Sequence, residues 1–250
     1  MHYYPLHYSL HWFDRSLRKM FIEDIFRELR NWTSEIVEKF EFPAGYPEWT
    51  MAGHLALAAH KAGFPYILQD YIVPKEELCH SKQQSRRTRP DLYIQNRGLE
   101  CLIELKRCNI DLEGSKLSDH EISNKLKKAW KQVNEHSEKE VSYLCTLVGV
   151  IVDAYTREWK QLYETPDSYD PRRDTLWDKF KEGAQGAQWE WKKETLRPNF
   201  CCGYFLSHEQ ATSAWKAALK YGNNNEGRGV PFPVGMLWSG LIRRRLPAEN

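Results

Sequence analysis

A mixed α/β fold is what the sequence predicts: a helix, a three-strand meander, a second helix and a further strand sharing one mixed (α+β) sheet. Three observations point there. Two short runs rich in β-formers, residues 91–95 and 99–106, lie back to back across Asn96-Arg97-Gly98. A small-residue helical stretch precedes them and a charged helical stretch follows. Residues 143–152 then form a nearly continuous apolar run, the mark of a strand covered on both faces. Composition agrees: 250 residues, 41% hydrophobic and 13% aromatic with ten tryptophans, are enough for a packed core and exclude wholesale disorder. No run approaches the roughly 18 apolar residues of a membrane span, so no membrane partner is expected.

Residues 12–42 read as an amphipathic helix, with Leu17, Phe21, Ile25 and Leu29 at four-residue spacing. Pro43, Gly45 and Pro47 break it. A second helix starts at Pro47-Glu48, because proline is favoured in a first turn and a carboxylate suits the positive helix end. Its body, from Met51 to His60, is rich in small residues and so suits close packing on a sheet; Gly63 is a natural cap. Residues 66–73 read as a strand stopped by Pro74, and a polar stretch runs from there to the basic cluster Lys82, Arg86, Arg87 and Arg89. After the two meander strands come a charged helix over 118–138 and the apolar strand. Beyond them lie a helix over 173–183, a strand over 200–206, a helix over 208–221 and a Gly/Pro-rich tail ending in Arg243, Arg244 and Arg245.

The chain opens without a basic region leading into an apolar stretch, so it does not read as a secretory signal. Its six cysteines contain no C-x-x-C pair, and several sit in apolar runs. Reduced, buried thiols and a cytoplasmic location are expected, with little support for a zinc site. His7 and His11 have helical metal-pair spacing but nothing nearby completes a ligand set.

The chemistry concentrates in Arg89-Pro90-Asp91-Leu92-Tyr93-Ile94 and Glu100-Cys101-Leu102-Ile103-Glu104-Leu105-Lys106. If Arg97-Gly98 is a two-residue hairpin loop, Asn96 faces Leu99 and Asp91 faces Glu104. Directly opposed residues share a face, with Cβ atoms about 4.5–5.5 Å apart. Lys106 joins them by the period-two rule, while Leu92, Ile94, Ile103 and Leu105 point into a core. A three-residue loop with a bulge would instead shift the pairing by one and turn Glu104 away. In the first register two carboxylates and an ammonium meet above an apolar sheet. Carboxylates that close repel unless a cation lies between them, and oxygen ligands are what Mg²⁺ prefers.

Pro90-Asp91 followed by Glu104-Leu105-Lys106, within this order of elements, resembles the active-site signature of the PD-(D/E)xK, restriction-endonuclease-like nuclease superfamily. The resemblance covers roughly residues 47–155. It implies a restriction-endonuclease-like core over 45–210, an N-terminal helical extension over 1–44, and a C-terminal helix and tail over 211–250 packed on the core. It implies a metal-dependent endonuclease in which Asp91, Glu104, the Leu105 carbonyl and Glu48 hold Mg²⁺ or Mn²⁺. Lys106 would orient the attacking water, and the products would carry 5′-phosphate and 3′-hydroxyl ends. Gln132 matches a polar residue that often faces the site from the following helix. Arg86, Arg87 and Arg89 would meet substrate phosphates. The implied substrate is nucleic acid, DNA ahead of RNA, with a homodimer or partner protein and a role in restriction or antiviral defence as further implications. Two other readings stay open: a non-catalytic nucleic-acid-binding or scaffold module with the same fold, and an RNA-directed nuclease.

The net charge is only +2. A dedicated nucleic-acid binder usually shows a larger basic excess, so the near-neutral total favours modest intrinsic affinity. The neighbouring pair Trp189 and Trp191 is read as core or interface ahead of base stacking.

Overall fold

The computed structural model describes residues 2–8, 48–69, 90–96, 99–113, 119–135, 141–221 and 229–244. Its elements are β1 (His2–Tyr8), α1 (Glu48–Lys61), β2 (Tyr66–Gln69), β3 (Leu92–Asn96), β4 (Leu99–Asp111), α2 (Asp119–Glu135) and β5 (Tyr143–Tyr155). There follow α3 (Thr156–Glu164), a 3-10 turn (Pro166–Ser168), α4 (Tyr169–Gly186), β6 (Trp189–Trp191), β7 (Glu194–Leu196), β8 (Phe200–Phe205), α5 (His208–Tyr221) and β9 (Pro231–Arg244). Seven strands form one sheet in the order β1-β8-β9-β5-β4-β3-β2, and β6 and β7 make a separate hairpin. The fold is mixed α/β, and the expected run of helix, three strands, helix and strand is α1, β2, β3, β4, α2 and β5. No described helix is long and apolar enough to cross a membrane.

Pairing follows from the connections. β2–β3 and β3–β4 are antiparallel, whereas β4 and β5 are parallel because α2 carries the chain back between them. Alternation along β3, β4 and β5 then sorts side chains onto two faces. Leu92, Ile94, Ile103, Leu105, Cys145, Leu147 and Ile151 pack with Met51, Leu55, Ala58 and Ala59 of α1. Tyr93, Leu102, Leu144, Val148 and Val150 pack on the other side with Ile122, Leu126, Trp130 and Val133 of α2. β5 is buried along nearly its whole length, as its unbroken apolar run requires.

α1 approaches the sheet closely. A Cβ added to Gly149 would lie 2.0 Å from the Met51 methyl carbon and 3.0 Å from the Trp238 ring. The missing side chain on β5 is thus the slot that Met51 fills.

Two parts of the sheet correct the sequence reading. The segment 211–250 is not a helix and a tail packed on the core: after α5, β9 runs for 14 residues between β5 and β8 in the middle of the sheet. Pro231, Pro233, Gly235 and Gly240 disguised it. Pro233 pairs with Asp153 just where the β5–β9 register shifts, which removes the need for its missing N–H. At Gly240 a Cβ would come within 2.5 Å of the Thr146 carbonyl and 2.6 Å of the Phe200 ring. The other correction concerns 1–44, where the described part is a strand, β1, at the sheet edge against β8. Pro5 sits in the register shift between Tyr4 and His7, a place an edge strand tolerates. His7 is therefore extended and lacks helical spacing to its neighbours. The helix expected over 12–42 lies outside the described residues.

Trp189 is buried in the main core and Trp191 packs against it, as expected. Trp130, Trp159, Trp177 and Trp238 are also buried. All five described cysteines are free and buried; Cys79 lies outside the described residues.

Gly149→Ala should destabilise the protein by about 1–3 kcal/mol through overpacking. Met51→Ala in the same chain should recover part of that loss, a non-additivity readable by thermal unfolding. A second expectation concerns pH. Burial pushes the Asp153 carboxyl up to about 6, partly opposed by the 2.8 Å bond from Asn109 Nδ2 and by Arg107. Between the unfolded value of about 3.9 and about 6, the folded state keeps a proton that the unfolded chain has lost. Its contribution is therefore fully present below pH 4 and is lost as pH rises through 6. Asp153→Asn should remove this fall, on the order of 3 kcal/mol, from the stability–pH profile measured by denaturant titration.

Candidate functional site

The β3–β4 ladder sets the site. Asn96 pairs with Leu99, Gln95 with Glu100, Ile94 with Cys101 and Leu92 with Ile103. This is the register of a two-residue connection, and one step beyond its last pair Asp91 stands opposite Glu104. Gln95 Nε2 donates to Glu100 Oε1 at 3.0 Å, confirming that opposed residues share a face. Leu92, Ile94, Ile103 and Leu105 face α1, so Glu104 and Lys106 on β4 face the side covered by α2, and Asp91, just before β3, meets β4 through its carboxylate.

Asp91 is held by the backbone it faces. β3 ends at Leu92, so β3 provides no ladder carbonyl for the N–H of Leu105; Asp91 Oδ2 accepts that N–H at 2.6 Å. The bond fixes the carboxylate at the strand end. Glu104 is 2% exposed, and its Oε1 accepts from Lys106 Nζ at 2.8 Å. A buried carboxylate has a large desolvation cost that a close ammonium offsets in part. The site therefore holds a cation of its own, at the end of a four-carbon stem whose side chain is 17% exposed.

α2 closes the far side. Lys125 Nζ donates to the Arg107 carbonyl at 3.0 Å, which anchors the helix on β4. α2 runs opposite to β4, so seven residues further on, about 10 Å of helix, matches about three residues back along the strand. By that spacing Gln132, half-buried and on the same helix stripe as buried Ala129, is expected towards the level of Glu104. Lys127, Lys128 and Lys131 of α2 point to solvent.

The other sequence-derived residues are placed differently. Glu48 opens α1, whose packing side covers the face of the sheet opposite Glu104. The side chain of Glu48 lies outside the described residues. Arg86, Arg87 and Arg89 lie outside the described residues. Among the described residues, no three His, Cys, Asp or Glu side chains converge as a metal cluster. The donors next to one another in the chain order of the hairpin, the Asp91 carboxylate on the Leu105 N–H and the neighbouring Glu104 carboxylate, are of the hard-oxygen kind that suits a divalent cation such as Mg²⁺.

One neighbour escaped the sequence reading. The parallel β4–β5 ladder pairs Glu104 with Thr146 and Lys106 with Val148. Thr146 is the lone hydroxyl within the apolar stretch Leu144–Val152, a signal that acquires meaning only once β4 and β5 are known to be parallel neighbours.

Lys106→Met should destabilise the protein by about 3 kcal/mol at neutral pH, because Glu104 stays buried without that ammonium. Adding Glu104→Leu should return much of the loss, and a double-mutant cycle by urea unfolding reads the coupling. No protein-family model, curated protein or solved structure matches the chain.

Proposed function

We propose that the protein is a divalent-cation-dependent nuclease that hydrolyses phosphodiester bonds, with duplex DNA as the favoured substrate. The observation that supports the reading is the β3–β4 register together with the bond of the Asp91 carboxylate to the Leu105 N–H, next in the chain to Glu104 and its partner Lys106. In this reading Asp91, Glu104 and the Leu105 carbonyl hold Mg²⁺ or Mn²⁺, and Glu48 is a candidate further ligand. The bound ion supplies charge neutralisation at the scissile phosphate and a lowered pKa for the attacking water.

The chain's own groups do the rest. Leu105 N–H keeps the Asp91 carboxylate fixed, so little ordering remains when a ligand arrives. Lys106 keeps a positive charge within reach of a phosphate oxygen and orients the water. Water oxygen bonds to phosphorus as the bond to the 3′ oxygen breaks; the water gives up a proton and the 3′ oxygen takes one. The products carry 5′-phosphate and 3′-hydroxyl ends. Gln132 and the arginines Arg86, Arg87 and Arg89 are assigned to the substrate backbone, where contacts give sequence-independent affinity.

A second reading is a nucleic-acid-binding module without catalysis. It is favoured by the direct Lys106–Glu104 pair and by the absence of a three-acid cluster among the described residues. Plasmid cleavage separates the two. A nuclease cuts with Mg²⁺ and loses at least about 100-fold on Asp91→Ala or Lys106→Ala, as expected for removal of a transition-state-stabilising group. A binding module retains plasmid in gel shift and leaves it intact, or shows identical traces for wild type and both variants. Replacing the duplex by single-stranded RNA tests the substrate class.

A further inference from the structure

We infer that Thr146 is a positioning residue, whose hydroxyl orients the carboxylate of Glu104 for a divalent cation. The inference rests on the nuclease reading and adds a residue to its site.

Thr146 is 0% exposed, and its Oγ1 makes no hydrogen bond. A buried hydroxyl without a partner costs about 1–3 kcal/mol, and valine would fill the same volume without that cost. Packing therefore gives no reason for a hydroxyl here. Position does. Thr146 is the β5 partner of Glu104 in the parallel ladder, and its neighbours Leu144 and Val148 lie on the α2 side of the sheet, the face of Glu104. Adjacent strands are about 4.8 Å apart, so the two side chains stand side by side on one face. The hydroxyl makes no bond to the glutamate in the structure, and the bond belongs to the inferred cation-bound arrangement. A rotatable O–H can donate to whichever carboxylate oxygen is turned towards it. Lys106 already holds Oε1, and both oxygens of Glu104 are shielded from solvent by the same packing. Donation from Thr146 would select one carboxylate orientation in a place where water cannot.

Ser239 is the built-in control. It is also 0% exposed with an Oγ that makes no hydrogen bond, but it pairs with Val148. It shares the burial and the missing partner and lacks the glutamate neighbour.

Calorimetric titration of the full chain with Mg²⁺ and with Mn²⁺, without nucleic acid, is paired with thermal unfolding of the apo protein. Thr146→Val should weaken cation binding about 10-fold, the lower end for losing an outer-shell partner, while the melting temperature stays level or rises. Thr146→Ser should restore wild-type affinity, and Ser239→Ala should leave it unchanged. The inference is overturned if Thr146→Val binds like wild type, or if both hydroxyl deletions weaken binding equally. It is likewise overturned if affinity falls only together with the melting temperature. Where wild type binds and Asp91→Ala does not, a wild-type-like Thr146→Val defeats the positioning role and leaves the nuclease reading standing. Absence of binding by wild type defeats both.

Discussion

A carboxylate inside a sheet is costly, and its charge persists only where a cation and hydrogen-bond donors stand close by. Glu104 is such a group. It lies on β4, the strand that pairs antiparallel with β3 on one side and parallel with β5 on the other, and it is almost fully enclosed. Period-two alternation forces every residue sharing its face to be a potential partner: Asp91 across β3, Lys106 two places along, Thr146 across β5. A slip of one residue in the hairpin would exchange Glu104 for Ile103 or Leu105 and put a carboxylate under α1. Burial of Leu92, Ile94, Ile103 and Leu105 against Met51, Leu55 and Ala58 therefore holds the register that makes the polar cluster.

That dependence links packing to chemistry. α1 reaches the sheet through the slot at Gly149, and its small residues let the apolar side of the hairpin close. α2 covers the polar side only in part, leaving Lys106 partly accessible above a dry carboxylate. The Lys106–Glu104 pair balances charge before any ligand is bound. In the nuclease reading a bound divalent ion would supply that balance, and Lys106 would then face the phosphate.

The hairpin and its surroundings were legible in the sequence because local rules decide them. A two-residue gap before Leu99, alternation over 91–106 and an apolar run over 143–152 translate directly into register, faces and burial. Sheet neighbours far apart in the chain were not legible. β9 carries two prolines and two glycines that read as a tail, yet the prolines fall at the strand start and a register shift, and Gly240 makes room for Phe200. β1 is interrupted by Pro5, tolerated at an edge. Thr146 had no visible role until the parallel pairing placed it beside Glu104. Glu48 was legible as the residue that opens a helix. Among the described residues, Trp130, Trp159, Trp177, Trp189 and Trp238 belong to the core.

The most direct measurement is the anomalous difference map of a crystal soaked in Mn²⁺. The nuclease account predicts a peak at the end of β3, within about 2.0–2.6 Å of carboxylate oxygens of both Asp91 and Glu104, distances set by hard-cation coordination. Manganese bound elsewhere while Glu104 stays paired with Lys106, or a hairpin with Glu104 turned into the apolar layer under α1, would contradict it.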